Sequence, residues 1–318
     1  MNEKYAKLHK KKRERSLLNR LFRRILIAIP AAAFVYVLLH FLSVPAGTVL
    51  IKKGPVDSTP AEWGYEYDGF LINSSRRIKL PAWYVYGSPQ KANIIILTHN
   101  GGSRAGNIAR WTADFLLEHG YNVVMVDTRG QGESSGVKTY GYGEAFDVAA
   151  IVDEVVERYP NMLIGAIGYS LGAATLLRAV GIEKRLRAVV TFAAFSRLDT
   201  ALIKHEAEYS TQGKWKGQGI VPGMLVTALR FWAFAPEKIP EPIDAISDRD
   251  GPPVLLCHFK ADPEILSHHA SDLFEAAGRS NVELRIFDEE RHLPYTRTRQ
   301  FEQEFIPIVI EFFDKYLQ

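Results

Sequence analysis

The chain has 318 residues, enough for one large or two small domains with a substantial core. Its 47% hydrophobic and 24% charged content is that of a globular protein, and its single cysteine, Cys257, excludes an intramolecular disulfide and a cysteine metal cluster. The net charge of +3 hides an asymmetry: residues 1–24 carry ten Lys/Arg against two Asp/Glu, or +8, so the remainder sums to −5, which argues against a nucleic-acid-binding body.

The basic tail, residues 1–24, contains Lys10-Lys11-Lys12-Arg13 and Arg23-Arg24. Residues 25–44 follow without an Asp, Glu, Lys or Arg. About 20 apolar residues are what a helix needs to cross the hydrocarbon of a bilayer, so this segment is expected to be an uncleaved transmembrane anchor. The cationic flank is expected to stay in the cytoplasm, which sends the C-terminal body to the extracytoplasmic side. A secretory signal is the rival reading, with Val44-Pro45-Ala46 as a weak cleavage site. Residues 45–62, with Pro45, Pro55 and Pro60, read as a linker.

A domain is expected over residues 63–318. Tyr-, Trp-, Ile- and Val-rich stretches at 64–73 and 78–86 predict an antiparallel start to a sheet. Buried strands are expected at 93–98, 122–126, 162–167, 186–194, 253–258 and 282–287. Helices are expected at 108–119, 145–159, 173–180 and 264–277, and a final helix after the last strand runs to Leu317, with an interruption at Pro307. Strands alternating with helices imply an α/β fold with a mostly parallel sheet covered on both faces. The rhythm lapses over about 197–250, where Tyr209, Trp215, Phe231, Trp232 and Phe234 stand among Gly and Pro residues. An insertion of that length is expected to be a lid over a site.

Gly168-Tyr169-Ser170-Leu171-Gly172 is a G-x-S-x-G pentapeptide between an apolar strand and a helix rich in Ala and Leu, the context of a nucleophile elbow. A serine becomes a nucleophile when a base takes its proton, and the base works best when a carboxylate fixes its tautomer. Asp262 follows the strand at 253–258 and His292 follows the strand at 282–287, which makes Ser170, Asp262 and His292 the candidate catalytic set. Asp199 and Asp288 compete for the acid; His205, His258, His268 and His269 are the other histidines of the C-terminal half, with His268 and His269 read as surface residues. For the oxyanion, candidate backbone donors are Leu171 and, in the loop His99-Asn100-Gly101-Gly102, Asn100 or Gly101. No zinc-binding H-E-x-x-H motif exists, since Tyr209 stands where the second histidine of His205-Glu206 would be, and no P-loop is present. No metal or cofactor is expected.

Together, Thr98-His99-Asn100-Gly101-Gly102, Asp127-Thr128-Arg129-Gly130-Gln131-Gly132-Glu133-Ser134-Ser135-Gly136, the elbow, Asp262 and His292 resemble the α/β-hydrolase superfamily. The likeness is to membrane-anchored bacterial serine hydrolases of the esterase and acylglycerol-lipase type. The resemblance implies an α/β-hydrolase fold over about Trp63 to Gln318, a structural role for the Asp127–Gly136 turn, and cleavage of a carboxylic ester of a small-molecule or lipid-derived acyl substrate. It departs from the family pattern at Asn100 and Phe259, where glycines are usual. The superfamily also holds thioesterases, peptidases and non-hydrolytic members, so a membrane-tethered binding protein is the alternative from another functional class.

Overall fold

The computed structural model describes residues 19–20, 22–36, 38, 53–98, 101–201, 239–248, 250–278, 280–295 and 298–318. The chain divides into two units, Met1–Thr48 and Val49–Gln318. In the first, residues 22–36 form a helix, α1, whose side chains are all exposed, including Phe22, Ile27, Ile29 and Phe34. Among the described residues no helix is long and apolar enough to cross a membrane. Residues 37 and 39–44 of the expected anchor lie outside the described residues.

The second unit is built on an eight-stranded sheet in the order β1-β2-β4-β3-β5-β6-β7-β8. β1 (Tyr67–Ser74) and β2 (Ile78–Val85) form an antiparallel hairpin, and β2 runs antiparallel to β4 (Asn122–Val126). From β4 onward, β3 (Asn93–Leu97), β5 (Ile164–Tyr169), β6 (Leu186–Phe192), β7 (Val254–Phe259) and β8 (Val282–Phe287) are all parallel. β3, β4, β5 and β7 are buried at every position, because helices cover both faces of a parallel sheet. β8 is one of the two edge strands, and there Arg285 and Ile286 are exposed.

The covering helices are α2 (Asn107–Glu118), α3 (Glu144–Arg158), α4 (Leu171–Val180), α5 (Pro242–Ile246), α6 (His268–Ala277) and α7 (Arg299–Tyr316). Each of the longer ones turns a row of apolar side chains inward; in α3 the row is Val148, Ile151, Val152 and Val155. Pro307 does not interrupt α7, contrary to expectation. An interior proline costs a helix about 3 kcal/mol, while each buried phenylalanine contributes about 1.5–3 kcal/mol. Phe301, Phe305, Phe312 and Phe313 of α7 are all buried, so packing outweighs the lost backbone bond. The helix expected from residue 264 begins only at His268; ahead of it the Ile265 carbonyl accepts from His258 Nε2, as described below, and so is not used by a helix N–H.

Residues 53–62, within the stretch read as a linker, belong to the second unit. Pro60–Trp63 makes a single 3-10 turn, and Trp63 packs edge-on against Trp83 of β2 at 5.9 Å. Most of the expected lid, residues 202–238, lies outside the described residues. Its return is anchored: the Arg178 guanidinium, fully buried in α4, donates to the Pro240 carbonyl at 2.7 Å and to Glu241 at 2.8 Å.

Candidate active site

The carboxyl ends of parallel strands are where an open α/β sheet presents its loops to a ligand, and three of these ends converge here. β5 stops at Tyr169 and α4 starts at Leu171, leaving Ser170 alone to make the turn, with φ 51° and ψ −113°. That left-handed conformation is strained for a residue with a side chain, and the surroundings must hold it. They do: Ser170 N–H donates to the Phe192 carbonyl of β6 at 2.8 Å, and Ser170 C=O accepts from Ala174 of α4 at 3.0 Å.

The two flanking glycines allow the sharpness of the turn. A Cβ at Gly168 would lie 2.7 Å from Gly172 C, and a Cβ at Gly172 would lie 2.6 Å from the carbonyl oxygens of both Leu97 and Thr98. Strand and helix therefore touch backbone to backbone. Tyr169 points the other way, where its hydroxyl meets Thr112 Oγ1 at 2.8 Å beneath the aromatic cluster of Phe192, Phe259, Phe287, Phe301 and Phe305.

Asp262 sits in the loop after β7 and His292 in the loop after β8, and both are buried. His292 Nδ1 lies 2.8 Å from Asp262 Oδ2, and His292 Nε2 lies 2.8 Å from Ser170 Oγ. An ionised carboxylate only accepts, so Nδ1–H donates to Asp262 and Nε2 is left to accept from the serine hydroxyl. Asp262 Oδ1 accepts from the backbone N–H groups of Glu264 and Ile265 at 2.8 and 2.9 Å. Burial pushes the Asp262 carboxyl up, but hydrogen bonding to His258, His292 and Ile265 outweighs it and holds the group well below the usual carboxylate range. A permanent anion at this position is what steadies an imidazolium formed at His292.

The competing acids stand apart from this chain of contacts. Asp288 is a largely exposed partner of Lys260, and Asp199 faces solvent beside Arg197. His205 and Asn100 lie outside the described residues. Leu171 opens α4, so its N–H belongs to the first turn, which has no intrahelical acceptor. Gly101, with φ 84°, occupies the turn after β3. The Asp127–Gly136 turn grips that loop from below. Arg104 forms ion pairs with both Asp127 and Glu133, and its backbone N–H donates to Asp127 at 2.6 Å. Arg129 is paired with Asp147 through Nε and Nη2 at 2.8 and 2.7 Å.

Two histidines gain a place that sequence reasoning did not assign. His258 is fully buried on β7, donating from Nε2 to the Ile265 carbonyl at 2.8 Å while facing Asp262 Oδ2 at 3.3 Å. Its four-residue spacing from Asp262 was the signal available. His269 is buried rather than at the surface, with Nδ1 2.8 Å from Ser196 Oγ. Burial, then the charges of His268 and His258, lower its pKa to about 4. The side chains of His268, His269 and Asp272 each place one ligand-type atom within 4.8 Å of the others, so among the described residues this group could hold a cation, although Ser196 already occupies His269 Nδ1. Cys257 is buried, which pushes its thiol up and leaves it a core residue.

Residues 89–230, under half of the chain, match a family model described as serine aminopeptidase, S33. The comparison with curated proteins found no match. Among solved structures, a Pyrococcus furiosus esterase is similar with a TM-score of 0.68 at 23% identity, over 84% of this chain and 98% of that one. An acylaminoacyl peptidase of Pyrococcus horikoshii is similar with a TM-score of 0.60 at 18% identity, over 80% of this chain and 42% of that one. The mouse alpha/beta hydrolase domain-containing protein 10 gives 0.56 at 16% identity, over 78% and 99%. These likenesses and the sheet order show an α/β-hydrolase fold, and the family match with its esterase and peptidase neighbours supports a hydrolase.

Proposed function

We propose that this α/β-hydrolase-fold chain is a serine hydrolase that cleaves a carboxylic ester through an acyl-enzyme. The observation that carries the reading is the continuous path Ser170 Oγ–His292 Nε2, His292 Nδ1–Asp262 Oδ2, both steps at 2.8 Å, ending on a strained serine at a helix N-terminus. Ser170 Oγ attacks the carbonyl carbon as His292 Nε2 takes its proton, and Asp262 stabilises the imidazolium. The tetrahedral oxyanion is held by Leu171 N–H and by an N–H of Asn100 or Gly101. Nε2 then protonates the leaving alkoxide, the C–O bond breaks, and a water activated by the same nitrogen releases the acid. No cofactor enters any of these steps.

Amide cleavage is the second reading, favoured by the serine aminopeptidase description of the matching family and by the peptidase neighbour. We propose further that residues 25–44 anchor the protein in a membrane, with the basic tail cytoplasmic and the domain on the other side. The exposed apolar side chains of α1 support that placement, and tethering to a membrane would favour an acyl group derived from lipid.

Fluorophosphonate labelling of the wild type and of Ser170→Ala tests the activity. Labelling lost in the variant supports an activated serine, and no labelling of folded wild type would leave a non-catalytic binding protein. Comparing p-nitrophenyl acyl esters with aminoacyl anilides separates the two hydrolytic readings. Carbonate extraction of membranes carrying the full chain tests the anchor, which release into the supernatant would refute.

A further inference from the structure

The chain ahead of β1 is in backbone contact with the loop that would supply the second oxyanion donor. A Cβ added at Gly54 would lie 2.8 Å from the Gly101 carbonyl oxygen and 2.8 Å from the Gly102 carbonyl carbon. Gly54 is not in the left-handed region, so its missing side chain serves this approach alone. The contact is fastened on both sides of Gly54. Lys53 Nζ donates to the Ser134 carbonyl at 2.6 Å, and Ser103 Oγ donates to the Pro55 carbonyl at 2.5 Å. Val56 then packs on the apolar core. A turn through two consecutive glycines has little conformational preference of its own, so its direction is set by what surrounds it. Arg104 fixes its far end through Asp127 and Glu133, and the 53–56 segment closes on it from outside.

We propose that Lys53–Val56 is a positioning strap for the oxyanion loop. The packing of Gly54 on the Gly101–Gly102 peptide sets where the loop's N–H groups point, so turnover depends on the segment that arrives from the N-terminal side. This rests on the acyl-transfer reading above. The strap touches neither substrate nor the reacting atoms and acts only through the loop.

Loss of one oxyanion donor lowers kcat by about 10²–10³, and a displacement of about 1 Å lowers the rate by about 10². The test uses the full chain with Gly54→Val and, separately, Ser103→Ala. The quantities are kcat and KM for a p-nitrophenyl ester, the inhibition constant of a trifluoromethyl ketone whose adduct places an oxyanion in the hole, and the thermal midpoint. Gly54→Val is expected to lower kcat at least about tenfold and weaken the ketone by a like factor, with KM within about twofold and the pH profile unchanged in shape. Ser103→Ala removes one hydrogen bond without adding bulk, and it is expected to move both quantities the same way by a smaller factor.

Wild-type kcat and ketone affinity in a folded Gly54→Val protein would overturn the strap. If that variant does not fold, Ser103→Ala decides, and undiminished turnover there overturns it equally. A wild type inert to both ester and fluorophosphonate removes the catalytic reading and the strap with it; an active wild type with an indifferent Gly54→Val protein removes the strap alone.

Discussion

Gly172→Ala probes the elbow with one methyl group. The new Cβ would lie 2.6 Å from two carbonyl oxygens, those of Leu97 and Thr98, and 2.8 Å from Leu97 C. All three are backbone atoms at the end of β3 and cannot rotate aside. Restoring an ordinary contact of about 3.3 Å moves the first turn of α4 away from the sheet by about 0.7 Å. Ser170 precedes that turn directly, and its Oγ begins 2.8 Å from His292 Nε2. The same shift stretches this hydrogen bond to about 3.5 Å, beyond its useful range. Overpacking of this kind costs about 1–3 kcal/mol of stability, and a misplacement of about 1 Å lowers kcat by about 10². The expected result is a folded protein with a thermal midpoint lower by several degrees and kcat lower by about one to two orders of magnitude. Stopped assays with a p-nitrophenyl ester and a thermal melt measure both. Wild-type kcat in Gly172→Ala would refute the argument that backbone contact at the elbow positions Ser170.

Asp262→Asn keeps the shape but presents an amide to His292 Nδ1, and kcat is expected to fall by about 10⁴ with little change in KM; a loss under tenfold would assign the acid elsewhere. The lowered His269 pKa makes a statement about acid stability. Unfolded, the imidazole titrates near 6.5, and in the folded protein near 4, so between these values the unfolded chain binds the extra proton. Stability is therefore full above about pH 6.5 and falls by about 3 kcal/mol as pH drops to about 4, a loss that His269→Asn should largely remove in urea melts across that window. Breaking the buried pair by Glu241→Ala leaves the Arg178 guanidinium unpaired, for an expected cost of about 3–5 kcal/mol read from denaturant midpoints. A change below 1 kcal/mol would show that the pair does not pin the return of the insertion.

Much of this architecture was legible along the chain. β3, β4, β5 and β8 begin and end within about two residues of their expected limits because apolar runs and flanking turns are local signals, which is the level at which boundaries can be read. The elbow was legible for the same reason: G-x-S-x-G names the residues that a tight strand-to-helix turn requires, and Gly168 and Gly172 meet backbone where a side chain would stand. Ser170, Asp262 and His292 were each placed just beyond a strand, and parallel register carries such positions to one edge of the sheet.

What only the tertiary structure decided concerns neighbours far apart in sequence or orientations that a period cannot encode. His258 and Asp262 lie four residues apart, yet only the turn through Ile265 brings His258 Nε2 against both. In that same turn the Ile265 carbonyl, which a helix starting earlier would have used, is taken by His258 Nε2, and α6 starts only at His268. A helix start is usually wet, which is why the sequence puts His269 at the surface, whereas Ser196, in the loop after β6, meets it in the interior. Pro307 was read as a break because propensity counts only the lost backbone bond, while the buried phenylalanines of α7 count for more. The Gly54–Gly101 contact joins segments 47 residues apart through backbone atoms alone, and no side-chain pattern records an approach that consists of having no side chain. Hydrophobic period and turn chemistry act over a few residues and so are written in the sequence; the surroundings of each buried polar group are set by which strands the sheet makes adjacent, and those exist only once the chain has closed on itself.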